Sequence, residues 1–187
     1  MIEKHVFTSE QKLAYWGYGE WVEEPDECYW EYRGLKCEIK RHAQIENESL
    51  AGMGHLCGYV ILPKDHPWEE MEYDKINVDV HGGITYSRIL EDGLTQIGFD
   101  CAHFVDETPF TTEKMLKFMM TQVEKDSEQY FRYRESLERM MDTKSLRLFQ
   151  TKKTYRNIDF VKAECEKLAD QAIEALKEHQ SSGSLED

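Results

Sequence analysis

The sequence predicts an α+β fold in which an antiparallel β-sheet is covered by a C-terminal helix, with an additional long helix inserted after the sheet. Three observations carry this expectation. Between Cys28 and His103, runs of aromatic and β-branched residues are separated by turn signals. After Pro109, apolar residues recur at spacings of three and four. From Asn157 to His179, Ile158, Val161, Cys165, Leu168, Ala172 and Leu176 form one stripe, suited to the apolar face that an antiparallel sheet must bury. At 187 residues and 40% hydrophobic content, one compact domain is expected. Its parts are an acidic β-rich region with a short N-terminal helix over 1–110, a helical insertion over 111–153, the C-terminal helix over 154–180 and a flexible tail over 181–187.

Each element has a local reason. Ser9 is placed to cap a short helix that Gly17 and Gly19 end. Cys28–His42 reads as a hairpin folded about the Arg33–Gly34 pair. Residues 46–54 are loop-like in composition, and His55–Pro63 is a strand that Pro63 stops. Ile76–Ser87 and Thr95–His103 follow as two strands around the turn Leu90–Gly93. Thr111 or Thr112 then caps a single long helix to Asp142, with Met115, Phe118 or Met119, Val123, Tyr130, Tyr133, Leu137 and Met140 or Met141 on its apolar face.

Charge narrows the possible partners. The chain carries 37 acidic and 23 basic residues, a net −14, and residues 1–110 alone hold 22 acidic and 9 basic, a net −13. That field repels phosphate backbones and attracts basic surfaces, so the acidic part is not expected to bind nucleic acid directly. Two clusters mix carboxylates with tryptophan: Glu20, Trp21, Glu23, Glu24, Asp26 and Glu27 in one, and Trp68, Glu69, Glu70 and Glu72 in the other. Aromatic anchors among carboxylates suit a protein interface, and these ten residues are the candidate partner-binding set. No stretch has the length and apolarity of a membrane span, and Met1–Glu10 lacks a signal-peptide pattern, so a cytoplasmic location without membrane association is expected.

The stretch from Val78 to His103 holds the candidates for chemistry: His81, Asp100, Cys101 and His103. On a regular strand, Asp79, His81 and Thr85 share a face, and Asp100 is the expected carboxylate partner that orients the His81 imidazole. Cys101 and His103 sit two residues, about 7 Å, apart along the other strand, too far for one to activate the other. The five cysteines are odd in number and contain no CxxC pair, which argues for free buried thiols. No HExxH, HxH or phosphate-loop spacing is present, so neither metal nor cofactor is expected. The plainer role for this stretch is structural, with Gly82 and Gly83 forming a bulge while His81, Asp100 and His103 satisfy one another.

The blocks "GHLCGYVILPKDHPW", "YDKINVDVHGGITYS", "IGFDCAH" and "YRNIDFVKAECEKLADQ" resemble a family of small proteins from phages, prophages and bacterial mobile elements, marked by HGG(I/L)TYS and GFDCAH. The chain departs from that family between Phe104 and Thr154, where the helical insertion lies. The resemblance implies a counter-defence setting in a bacterial host and no particular reaction. It points to an acidic inhibitor of a basic bacterial protein, such as a type II CRISPR nuclease or its guide complex, whose nucleic-acid channel is lined with Lys and Arg. Two other roles stand beside it: a binder or hydrolase of a nucleotide signal through the His81/Asp100/His103 region, and a structural or accessory phage protein assembling through its helices.

Overall fold

In the computed structural model of the chain, residues 1–46, 49–69, 71–146 and 153–183 are described. A two-residue turn at Arg33–Gly34 joins β2 (Glu27–Tyr32) to β3 (Leu35–Arg41), pairing Tyr32 with Leu35 and Cys28 with Ile39. Alternation along β3 then decides the faces: Leu35, Cys37 and Ile39 turn into the core, whereas Lys36, Glu38 and Lys40 turn away from it. β1 (Ile2–Lys4) pairs with β2, and β3 continues to β6 (Leu56–Leu62), β8 (Thr95–Asp100) and β7 (Tyr86–Ile89). All six strands run antiparallel to their neighbours.

α4 (Ile158–Gly183) covers one face of this sheet, as its stripe predicts. Val161, Cys165, Leu168, Ala169 and Ala172 are closed to solvent against Ile39, Val60, Ile97 and Phe99, while Leu176 is only half-buried. Gly58 leaves the room this packing needs, since a Cβ there would stand 2.6 Å from the Cys165 sulfur of the helix and 2.5 Å from the Phe99 ring. The expected antiparallel sheet with a covering C-terminal helix is therefore present.

A second, smaller core holds the N-terminal segment. α1 (Ser9–Trp16) is capped by Thr8, one residue before the expected Ser9, and ends at Gly17. Thr8 and Gln11 satisfy each other's backbone amides, the reciprocal arrangement that an uncapped first turn lacks. Phe7, Trp16, Trp21 and Phe110 bury themselves together. Between the two cores runs a closed ionic network. Asp26 accepts hydrogen bonds from the Val6 and Phe7 amides and from Lys12 Nζ and Arg41 Nε, each at 2.9 Å. Arg41 also donates to Glu24 at 3.0 Å, to the Tyr155 hydroxyl at 3.0 Å and to the Gly54 carbonyl at 2.8 Å. Glu24 in turn accepts from the Tyr155 hydroxyl and from the Ile158 amide at the start of α4.

Three expectations need correction. Residues 76–85 are not a strand, because Gly82 and Gly83 take φ of 71° and 81° and turn the chain; only Tyr86–Ile89 pairs with β8. The composition-based loop at 46–54 overlaps a strand pair, taking in the last residue of β4 (Gln44–Glu46) and all of β5 (Ser49–Ala51), with residues 47 and 48 outside the described set. The single long helix is two, α2 (Thr112–Thr121) and α3 (Glu128–Leu146). Thr111 caps the first, and the Ser127 hydroxyl caps a new start by accepting from the Tyr130 amide. No helix among the described residues is long and apolar enough to cross a membrane.

Candidate functional site

Three separate pieces of chain meet at one end of the sheet. The turn at 80–83 presents His81, and its backbone amide is held at 2.7 Å by Glu164 of α4. The segment after β8 folds back on itself through Asp106 N to His103 O (2.9 Å) and His103 N to Asp106 Oδ2 (3.0 Å). The third piece arrives through a short parallel pairing of β9 (Asp106–Glu107) with β10 (Thr154–Tyr155), which sets Arg156 beside Asp106.

Asp106 is the centre of this corner and is closed to solvent. His81 Nε2 lies 2.8 Å from its Oδ2, and Arg156 Nε donates to its Oδ1 at 2.9 Å. Burial alone would raise its pKa, but the hydrogen bonds from His81, Arg156 and the His103 amide outweigh burial and hold the carboxyl below its usual range. His103 Nδ1 stands 3.4 Å from Asp106 Oδ2, shielded from solvent and without a hydrogen-bond partner. The two imidazoles are perpendicular, with ring centres 5.2 Å apart. Phe160 of α4 supports both sides, edge-on to His81 at 5.3 Å and beneath the Arg156 guanidinium at 4.6 Å. Gly82 is required here twice over: its φ is positive, and a Cβ would lie 2.1 Å from the His103 ring.

His81 and His103 thus come together, and Asp100 stands at their edge, within ion-pair distance of His103 but not the carboxylate that His81 meets. It spends Oδ1 on the Ala102 amide and lies 3.9 Å from His103 Nδ1. The carboxylate that orients His81 is Asp106, because the glycine turn moves His81 out of strand register with Asp100. Asp79 is likewise drawn away, to Lys167 and Gln171 on α4. Cys101 points into the main core, and burial drives its thiol upward. The other four thiols are also raised by burial, Cys28 to about 11 and Cys37 and Cys57 to about 12, so none is poised as a nucleophile. Asp106 and Arg156 were missed by sequence reasoning. An Asp three residues beyond His103 was the visible hint, whereas nothing local marks Arg156.

The acidic clusters divide in a way composition does not disclose. Glu24 and Asp26 are members of the internal network, and Trp21 is 6% exposed with its indole N–H on the Gly17 carbonyl. These three are corrected from partner-binding to structural residues. Glu20 and Glu23 are exposed, with Glu20 accepting from Asn157, and half-buried Glu27 accepts from the Tyr29 hydroxyl at 2.6 Å. In the second cluster Trp68 packs on the main core, Glu69 accepts from the Asp65 amide, and Glu72 is exposed. Glu70 lies outside the described residues. No protein-family model, curated protein or solved structure matches the chain.

Proposed function

We infer that the protein is a binding module without chemistry of its own, an acidic inhibitor that occupies the basic surface of a bacterial nucleic-acid-processing enzyme. A type II CRISPR nuclease or its guide complex is the partner that the sequence resemblance favours. One observation carries this reading: folding does not neutralise the acidic excess. Lys12, Arg41, Glu24 and Asp26 cancel one another inside the protein and so withdraw none of the −13 of residues 1–110, from which buried Asp106, met by Arg156, takes one. The raised thiols support the same reading, since nucleophilic catalysis by cysteine needs the opposite shift.

The experiment is a binding titration of the purified protein against a purified, guide-loaded type II CRISPR nuclease at low and at high salt. Binding that weakens as salt rises is expected. Changing Glu20, Glu23, Glu69 and Glu72 together to Gln should weaken it by roughly tenfold, because single exposed contacts are worth only about 0.2–1 kcal/mol. Undetectable binding, or binding indifferent to both salt and the fourfold change, would sink the proposal. A second reading, a nucleotide-signal binder or hydrolase, rests on the His81, His103, Asp106 and Arg156 corner. It predicts a nucleotide-dependent rise in melting temperature that His103→Ala removes.

A further inference from the structure

Among the described residues, His81, His103 and Asp106 form the one group of three whose ligating atoms could hold a metal ion, all within 4.8 Å of one another. Their arrangement has features that a plain hydrogen-bonded cluster does not need. His103 Nδ1 is buried without a hydrogen bond and faces the same carboxylate oxygen that His81 Nε2 approaches. Those separations, 3.4 and 2.8 Å, are close to the roughly 3.0–3.4 Å that neighbouring ligands keep around an ion bound at about 2.1 Å. The other carboxylate oxygen is held by Arg156, which fixes the orientation of Asp106, while Oδ2 keeps the His103 amide hydrogen bond and has one further lone pair for a metal bond. His81 is fixed from behind by Glu164 on its amide and by the edge of Phe160 on its ring.

We propose that His81 Nε2, His103 Nδ1 and Asp106 Oδ2 are three ligands of a divalent first-row transition-metal site of the Zn²⁺ class. Two imidazoles and one carboxylate suit this class better than the hard, all-oxygen sites of Mg²⁺ or Ca²⁺. The His103 side chain is 31% exposed although its Nδ1 is closed to solvent, so the site lies just beneath the surface. Coordination takes each imidazole as a neutral ring with its proton on the nitrogen away from the ion. The hydrogen between His81 Nε2 and Asp106 is therefore given up, to Nδ1 of a neutral ring or to solvent from a protonated one, and the ion takes its place. The acidic field of the surrounding domain favours the cation and offsets the nearby Arg156 charge. The inference is independent of the docking function, since neither acidic cluster contributes a ligand.

The test uses the full chain, treated with chelator, freed of it, and titrated with Zn²⁺ alone. Saturation at one ion per chain with a rise in melting temperature is expected, and His103→Ala and His81→Gln should each weaken binding at least tenfold. His42→Ala, which alters an imidazole outside the corner, should leave it unchanged. Should the variants fail to fold, long-range ¹H–¹⁵N spectra of the unaltered protein provide the second measurement, in which Zn²⁺ must shift His81 through Nε2 and His103 through Nδ1. Absence of saturable binding, corner variants that bind as tightly as the unaltered protein, or spectral changes confined to other histidines would overturn the site.

Discussion

Lys12 Nζ and Asp26 Oδ1 lie 2.9 Å apart with both side chains closed to solvent. Burial pulls the Lys12 pKa down and the neighbouring carboxylate pulls it back, so the pair is stable only as a pair. Asp26→Asn therefore leaves Lys12 and Arg41 facing a neutral group and should cost about 3–5 kcal/mol of unfolding free energy. Denaturant melts of the two proteins measure this directly, and a loss under 1 kcal/mol would contradict the closed network.

The two glutamates at 23 and 24 provide a sharper contrast, because they differ only in which way they face. Glu23→Gln should change stability by no more than about 0.5 kcal/mol, as exposed substitutions usually do. Glu24→Ala removes the acceptor of Arg41, Tyr155 and the Ile158 amide and should cost about 2 kcal/mol or more. Equal melting temperatures for the two variants would refute the division of the acidic cluster.

Neighbouring glycines at the histidine corner make a matched pair. Both have positive φ, but a Cβ at Gly83 meets nothing within 4 Å, whereas one at Gly82 strikes His103. Gly83→Ala should cost only the backbone strain, about 1–2 kcal/mol, and Gly82→Ala distinctly more. Thermal denaturation ranks them, and the reverse order would show that His103 does not rest on the turn.

Stability should fall on mild acidification because of His55. Burial, with smaller contributions from neighbouring His42 and Arg41, lowers its pKa to about 4, against the opposing pull of Asp100 and Asp106. The unfolded chain, with an ordinary histidine near 6.5, binds the proton more readily than the folded one. The full stability is thus present above pH 6.5 and declines as pH falls toward 4, by on the order of 3 kcal/mol. Urea melts at pH 7 and pH 4.5 should show part of this loss shrink in His55→Gln; an unchanged pH dependence in that variant would locate the effect elsewhere.

How much of this was legible depends on the range of the interaction. The β2–β3 hairpin, the β7–β8 turn and the stripe of α4 are written in neighbouring residues, and their positions follow from spacing alone. The break between α2 and α3 was locally written too, in Ser127, but periodicity on both sides hid it. The alternation at 78–86 pointed to a strand because it counts residues and cannot see that two glycines reverse the chain. Asp106 and Arg156 are fifty positions apart, and only the pairing of β9 with β10 joins them. Nor could composition separate Glu24 from Glu23, since the distinction depends on Arg41 entering from another strand.

That small parallel ladder has a topological consequence. Because β9 and β10 run in the same direction side by side, the chain that leaves after Glu107 is back beside Asp106 at Thr154, and the described helices α2 and α3 belong to an excursion with both feet on the same spot. Its root is pinned by Phe110 in the second core and by Lys114 on the Trp16 and Pro109 carbonyls, while Phe118, Phe131 and Met141 farther along are exposed. Such an excursion is a graft point. It can be lengthened, trimmed or exchanged without rethreading a single strand of the sheet, at a closure cost that grows by only about 0.6 kcal/mol for each doubling in length.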